Sequence, residues 1–410
     1  MASNRSLLFR FSRVWQELKS PLNVEPRALT PAASAHLDLI RGLAAWAVMW
    51  DHLRGLFFVD FRLVNRSSSL LKVIYFFTGF GNEAVLVFFV LSGFLISSAI
   101  LGRRASGTWS WRGYVIDRAS RLYVVLIPGL LFGLSWDKLG SSIFVSTGIY
   151  SHPLENFGSA IVQARMGIGT FLGNLFFLQT IIVPTFGSNG PLWSLANEFW
   201  YYILFPVGLA AVIAWKKRSI RSAVAFTFLG ALVAVFVGWQ ILAGFIIWLA
   251  GTVLVVAYSK WPLRSKGWLT LYALVSLLVL SACLAASRTG KLVAPGCNLA
   301  VGIGFALFLF GVLHMKLGTT GTSYPRIAHV LAGFSYSLYV LHFPFLLFLR
   351  AWIVPSQKWQ PDTAHLALGF VIGVATLAFA WLVSLFTENK TRVARDWLRH
   401  VIPVLGSQSQ

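Results

Sequence analysis

The feature that most constrains this chain is a series of long apolar stretches distributed along nearly its whole length. A membrane-spanning helix needs about 20 mostly apolar residues. Ten stretches qualify, centred near residues 48, 91, 127, 204, 229, 248, 277, 306, 340 and 375. Because backbone groups in lipid must form their hydrogen bonds internally, each stretch is expected to be helical. The sequence therefore predicts an all-α, polytopic transmembrane helix bundle of about ten spans.

Composition and charge agree with this interpretation. Of 410 residues, 57% are hydrophobic and 11% are charged, against roughly 25% charged residues in an average soluble domain. The net charge is +21, and 23 of the 34 Lys and Arg residues fall in alternate connecting segments, with nine in the others. Cytoplasmic segments of membrane proteins carry such an excess, so both termini are predicted to be cytoplasmic. Flanking charge explains the basic composition without nucleic acid as a partner.

The predicted organisation is a single membrane domain. A cytoplasmic segment over 1–35 precedes a membrane domain over 36–389, and a cytoplasmic tail follows over 390–410. No short apolar region with a cleavage site precedes the first stretch, so the first helix is expected to be retained. The longest predicted connection, 137–191, lies on the outer side. Its part from Gly169 to Pro184 is too apolar for a solvated linker and is expected to pack against the bundle.

The two cysteines, Cys283 and Cys297, have neither the number nor the spacing of a disulfide framework or a metal site. No bound metal is therefore predicted. Two buried thiols are the favoured interpretation, and one disulfide between the outer ends of neighbouring helices is the alternative.

The first span carries two polar side chains with a regular relation. Arg41 and His52 are eleven residues apart, about 1100° of helical rotation, which places them within roughly 20° of one face and about 16 Å apart along it. Arginine grips phosphate or carboxylate, and histidine accepts a proton near neutral pH. This pairing suits group transfer. In the alternative interpretation, Arg41 snorkels to the interface and His52 caps the outer end.

Three further polar clusters interrupt later spans. In residues 88–96, a Ser92-Gly93 step lets a helix or a ligand approach closely. Arg118 and Arg121 lie at i and i+3 on one face at the cytoplasmic surface, where they bind phosphate or serve as ordinary flanking charge. In residues 191–202, Glu198 is expected to orient a histidine, bind a sugar hydroxyl, pair with an arginine or compensate the helix dipole.

The last cluster lies in residues 334–344 and contains a second intramembrane histidine, His342. Tyr336 and Tyr339 precede it by six and three residues, and Pro344 should kink the helix and free backbone carbonyls. His342 is either part of a site or a hydrogen-bonded core residue.

In order along the chain, Arg41 followed by ten residues and His52, then FFVLSGFLI, Arg118-x-x-Arg121, LWSLANEFWYY and SYSLYVLHFP resemble the acyltransferase-3 family. That family includes O-acetyltransferases of bacterial surface polysaccharides. The resemblance runs from about Ala35 to Thr387. It implies a bundle of about ten helices in the inner membrane. Acyl-CoA, most often acetyl-CoA, is then the cytoplasmic co-substrate, no cofactor is bound permanently, and a carbohydrate or glycolipid hydroxyl is the acceptor.

The resemblance also implies roles for individual residues, with Arg41 on the donor and His52 activating the acceptor hydroxyl as base or as an acylated intermediate. Candidate catalytic residues are His52, Arg41, Glu198 and His342. Candidate donor-binding residues are Arg41, Arg118, Arg121 and Ser92, and candidate acceptor-binding residues are Trp193, Ser194, Tyr201, Ser335, Tyr336 and Tyr339. One departure is Leu86, which stands where the family often has an aspartate, with Glu83 three residues earlier.

The alternative function is a transporter or flippase for a lipid-linked sugar, because aromatic residues and buried charges also line solute paths. Transporters often contain repeated halves with interrupted helices in matching positions. The sequence shows no such halves, which favours the enzyme.

Overall fold

The computed structural model describes residues 25–153, 161–263, 265–289, 295–316, 323–354 and 356–401. These residues form thirteen α-helices and no β-strand beyond two isolated bridges. The helices are α1 Pro31–Phe57, α2 Ser69–Phe77, α3 Gly81–Ala105, α4 Trp111–Ile143, α5 Ile168–Leu175, α6 Leu192–Lys216, α7 Ile220–Lys260, α8 Lys266–Arg288, α9 Gly296–His314, α10 Tyr324–Gly333, α11 Ser335–Ile353, α12 Thr363–Ser384 and α13 Thr391–Val401. The predicted all-α fold class is confirmed.

Eight helical segments in the described ranges are long and apolar enough to cross a membrane. They are α2 with α3, α4, α6, α7, α8, α9, α11, and α12 with α13. Helix α1 is not among them, because Asp38, Arg41, Asp51 and His52 lower its mean hydropathy. The structure therefore confirms a polytopic helical bundle, and the count of ten spans stays a prediction.

Polar contacts identify the two ends of the bundle. At one end, the Asp117 carboxylate of α4 binds Arg103 of α3 at 2.6 Å and Arg399 of α13 at 3.0 Å. At the opposite end, Arg350 Nε of α11 donates to the Leu56 carbonyl of α1 at 2.9 Å. We call the end with Asp117 the arginine end. The end with Arg350 is nearer to His52 and His342, and we call it the histidine end. The excess of Lys and Arg in alternate connecting segments predicts that the arginine end faces the cytoplasm, and this orientation stays a prediction.

Helix α7 turns back on itself. Gly238 has φ 75° and ψ 174°, which no residue of a regular α-helix adopts. On one side of this break, Phe226 stacks on Trp111 at the start of α4. On the other side, Ser259 accepts a hydrogen bond from the backbone of Arg27, just before α1. Both contacts lie at the arginine end, so the apolar stretches centred near 229 and 248 form two antiparallel arms of α7.

Helices α3 and α7 cross at close range because glycine occupies both sides of the crossing. A Cβ on Gly93 would overlap the Trp248 carbonyl oxygen, and a Cβ on Gly251 would overlap the Val90 carbonyl oxygen. Small residues permit such contact between membrane helices. In the Ser92-Gly93 step, helix packing therefore explains the glycine.

The connection between α4 and α6 begins at Phe144, seven residues past the sequence-based start at 137. As its apolar composition predicted, its second half packs into the bundle, and Asn174 and Gln179 are fully buried. Gln179 Nε2 donates to the Leu192 carbonyl at 2.9 Å. Residues 154–160 of this connection lie outside the described ranges, and the predicted domain boundaries stay predictions.

Cys283 and Cys297 are both free thiols, as the favoured interpretation predicted, but only Cys297 is buried and Cys283 is half-buried. Of the predicted cytoplasmic segment 1–35, residues 1–24 lie outside the described part of the chain. Residues 402–410 of the predicted tail lie outside it as well, and α13 covers the start of that tail.

We predict that Gly93→Ala destabilises the bundle. The added methyl group meets helical backbone that has no room to move, and overpacking of this kind costs about 1–3 kcal/mol. Gly208→Ala in α6 is the matched control, because a Cβ there meets no atom within 4 Å. It should gain about 0.5–1 kcal/mol from helix propensity. Thermal unfolding in detergent measures both, and equal behaviour of the two variants would contradict the close crossing.

Candidate active site

A cavity of about 260 Å³ opens between α1, α3, α4, α6 and α11. Its charged lining consists of three arginines and one carboxylate, and its wall is otherwise largely aromatic and aliphatic. We call it the arginine cavity. Its polar and aromatic lining residues are Arg41, Phe88, Phe89, Ser92, Arg118, Arg121, Ser194, Glu198, Tyr202, Ser335, Tyr336 and Tyr339.

The arginines of this cavity come from two helices. Arg41 of α1 forms an ion pair with Asp38 at 3.2 Å and donates to the Ala332 carbonyl at 3.4 Å. Arg118 and Arg121 are one turn apart on α4, so both reach the same cavity. Three guanidinium groups facing one carboxylate make the cavity suited to an anionic ligand.

Glu198 lies among these arginines. Its Oε1 accepts a hydrogen bond from the Tyr202 hydroxyl at 2.5 Å, and its charge interacts with Arg121. The Arg118 guanidinium lies 5.7 Å from the centre of the Tyr202 ring. Of the roles that the sequence left open for Glu198, this position favours pairing with arginine over orienting a histidine.

A second cavity, of about 480 Å³, lies toward the histidine end between α1, α3, α11 and the α4–α6 connection. We call it the histidine cavity. Its polar side chains are Asp51, His52, Asn82, Arg165, Thr185, Ser188, Trp193 and Tyr339. Arg41 and His52, eleven positions apart on α1, therefore line different cavities, the cation one and the imidazole the other.

His52 is held by His342, and the hydrogen bonds fix the tautomers of both rings. His342 Nδ1 lies 2.9 Å from the Leu338 carbonyl, which only accepts, so Nδ1 is the protonated nitrogen. The neutral His342 ring therefore accepts at Nε2, and His52 Nδ1 donates to it at 2.8 Å. This leaves the basic lone pair of His52 on Nε2. The rings stack with centroids 5.0 Å apart.

The two cavities share a wall. Val85 of α3 and Tyr339 of α11 line both of them. The Tyr339 hydroxyl is 2.5 Å from Ser194 Oγ and donates to the Pro191 carbonyl at 3.2 Å. These contacts hold the ring between the arginine cavity and His52.

Two sets of hydrogen bonds position α11, one in its first turn and one at Val340. Glu388 Oε2 accepts from Ser337 N at 3.0 Å and from Ser337 Oγ at 3.1 Å, in the first turn of the helix. Pro344 has no N–H for the Val340 carbonyl four residues before it. Asn189 Nδ2, from the α4–α6 connection, donates to that carbonyl at 2.8 Å.

Most residues predicted for the site line one of the two cavities, and two do not. His342 does not line the histidine cavity but forms a hydrogen bond with His52, which does. Tyr201 lies in the apolar core, where its ring contacts Phe89 and Phe245. Ser92, which lines the arginine cavity, accepts a hydrogen bond from Trp248 Nε1 at 3.1 Å.

One departure from the family pattern is Leu86 in place of an aspartate, with Glu83 three residues earlier. The Glu83 carboxylate accepts a hydrogen bond from the Ser287 hydroxyl and lines neither the arginine nor the histidine cavity.

Sequence reasoning did not predict that Asp51, Arg165 and Glu388 belong to the site. Asp51 adjoins His52 in a predicted span, a signal that was available, whereas only the fold brings Arg165 and Glu388 to the site. Within the described ranges, no three His, Cys, Asp or Glu side chains could hold a metal ion, and the prediction of no metal stays a prediction.

Membrane-length helices around an arginine cavity and a histidine pair define a multi-pass membrane protein with an internal site suited to group transfer. The chain matches the acyltransferase domain of the acyltransferase-3 family over residues 34–385 and belongs to that family. It is therefore a multi-pass membrane protein of that family.

A relative from Haemophilus influenzae, described as an uncharacterized protein, is 27% identical over 135 residues. The aligned part covers 32% of this chain and 49% of the relative, so the chain spans about half the length of that protein. No solved structure matches the chain.

We predict that Glu388→Gln destabilises the start of α11. A neutral amide accepts more weakly from Ser337 and removes a negative charge from beside Arg41 and Arg121, which should cost about 1–3 kcal/mol. The matched control is Asp362→Asn, at the N-cap of α12, because that carboxylate is exposed and asparagine caps a helix as well as aspartate. Thermal unfolding compares them, and an unchanged midpoint for Glu388→Gln would contradict its anchoring role.

Proposed function

We propose that this protein is an acyltransferase, and that it moves an acyl group, most often acetyl, from acyl-CoA to a hydroxyl of a carbohydrate or glycolipid acceptor. One observation carries the proposal, namely that an arginine cavity and a histidine cavity meet at a shared wall of Val85 and Tyr339. The arrangement suits a reaction in which two substrates reach the shared wall from different sides. The proposed setting is the inner membrane, with the arginine end in the cytoplasm.

The proposed donor site is the arginine cavity. Coenzyme A carries several phosphates, and Arg118, Arg121 and Arg41 supply planar guanidinium groups that bind phosphate oxygens in pairs. The apolar wall of the cavity suits the uncharged pantetheine arm, which leads from the phosphates toward Tyr339. The thioester then lies next to the shared wall. Acyl-CoA is a co-substrate in this proposal, and no permanently bound cofactor takes part.

The proposed chemistry takes place at His52. Its Nε2 lone pair accepts the proton of the acceptor hydroxyl while that oxygen attacks the thioester carbon. His342 keeps the imidazole in this tautomer and orientation through the 2.8 Å hydrogen bond. When the tetrahedral intermediate collapses, the C–S bond breaks and the CoA sulfur leaves, taking the proton from His52. The products are the acylated acceptor and free CoA, and His52 returns to its starting state.

We predict that His52→Ala lowers acyl-CoA-dependent release of CoA by about 10²- to 10⁴-fold, the usual contribution of a positioned general base. His342→Phe should lower it by about 10²-fold, because the remaining imidazole loses its orientation. The assay uses purified protein in lipid with a panel of glycan acceptors.

The control for the histidine variants is His314→Phe. His314 is a buried histidine in α9 that packs against Tyr258 and lines neither the arginine nor the histidine cavity. It should keep activity close to that of the wild type. Unchanged CoA release by His52→Ala would overturn the assignment of His52 as the base. No CoA release by the wild type or by any variant would favour the transporter alternative.

We predict that Arg118→Ala and Arg121→Ala each raise KM for acyl-CoA about tenfold, as expected for a lost charge-assisted contact. Binding of CoA to the His52→Ala protein, measured by calorimetry, should weaken by the same factor when either arginine is also removed. Arg104→Ala is the control, because Arg104 lies at the same end of the bundle and does not line the cavity. Equal affinities for CoA in all these proteins would contradict the donor assignment.

A further inference from the structure

A third cavity, of about 210 Å³, adjoins the histidine cavity and has no role in the proposed reaction so far. It lies between α3, α6, α7 and α9, close to the break in α7. Asn82 and Trp193 line both this cavity and the histidine cavity. A molecule bound in the third cavity is therefore next to the one that contains His52.

Apart from two tryptophans, the polar side chains that line this cavity are carboxamides. Asn82, Asn197, Gln240 and Asn298 contribute them, and none of its described lining residues carries a charge. Asn82 Nδ2 donates to Asn298 Oδ1 at 3.2 Å. A carboxamide both donates and accepts hydrogen bonds, which matches the hydroxyls of a neutral sugar.

The same cavity extends to the side of the bundle. Its lining includes Trp239, Ile246 and Leu299, which are 66%, 49% and 38% exposed, and its inner wall includes the buried Leu86 and Phe89. The exposed residues lie on α7 and α9, two of the helices that are apolar enough to cross a membrane. Apolar side chains that face outward from such helices face lipid. We call this space the lateral cavity.

We infer that the acceptor is an amphiphile that enters the lateral cavity from the bilayer. Its alkyl or prenyl tail lies against α7 and α9, and its hydroxylated head passes Asn82 and Trp193 to reach His52. This inference rests on the proposed function and narrows its acceptor to a glycolipid or lipid-linked glycan. A water-soluble glycan needs no opening toward lipid, whereas an amphiphile uses both the lipid-facing side and the carboxamide lining.

Two glycines provide a matched pair of variants. Gly296, the first residue of α9, lines the lateral cavity, and a Cβ built there meets no atom within 4 Å. Gly267, in the first turn of α8, has the same free space and does not line this cavity. The Gly296→Phe substitution therefore introduces a large side chain at the edge of the lateral cavity, and Gly267→Phe tests the cost of the substitution itself.

The test is photolabelling of the protein in lipid nanodiscs with dodecyl glucoside that carries a diazirine at the end of its tail. Dodecanol with the same diazirine is the probe control, and mass spectrometry locates the labelled residues. The glucoside should label residues 239–247 and 295–299 in preference to dodecanol. Gly296→Phe should lower this labelling about tenfold, the change expected when roughly two buried methylene groups are lost. Gly267→Phe should label like the wild type.

Equal labelling of these residues by the glucoside and by dodecanol would show an ordinary lipid surface and overturn the inference. Undiminished labelling in Gly296→Phe would overturn it as well. The labelling needs no turnover and no donor. Its failure is therefore distinct from the absence of acyl-CoA-dependent CoA release, which would overturn the proposed function instead.

Discussion

The position of α11 determines the geometry of the site, because this helix carries both Tyr339 and His342. Glu388 holds its first turn and Asn189 holds its middle, each through hydrogen bonds to the backbone of α11. Inside a protein, hydrogen bonds of this kind are electrostatically stronger than in water. A shift of α11 by one turn, about 5.4 Å, would remove His342 from His52 and take Tyr339 out of the shared wall.

Polar groups inside this bundle serve two different purposes. Some stabilise structure alone, such as Asp137, whose Oδ2 accepts from Ser188 N at 2.7 Å, and Glu83, which binds Ser287. Others, such as Arg41 and His52, line cavities. Because a polar group inside the membrane is costly in either case, its presence alone does not identify a site. Its position relative to a cavity does.

The sequence predicted the helical fold and many of the residues that line the two cavities. Tyr201, which the family resemblance placed among the acceptor-binding residues, lies on the side of α6 that packs against α3 and α7. The apolar stretches centred near 229 and 248 form two antiparallel arms, and Gly238 turns the chain between them. Hydropathy detects apolar length and does not detect which residue turns the chain.

The sequence by itself determined the helices, the relation of Arg41 to His52 on one face, and the family. Those properties follow from the solvent, from helical periodicity and from motifs that are local in the chain. Only the tertiary structure decided that His342, 290 residues away, orients His52, and that two cavities meet at Tyr339. Contacts between helices depend on how side chains pack across distant segments, which no local pattern specifies.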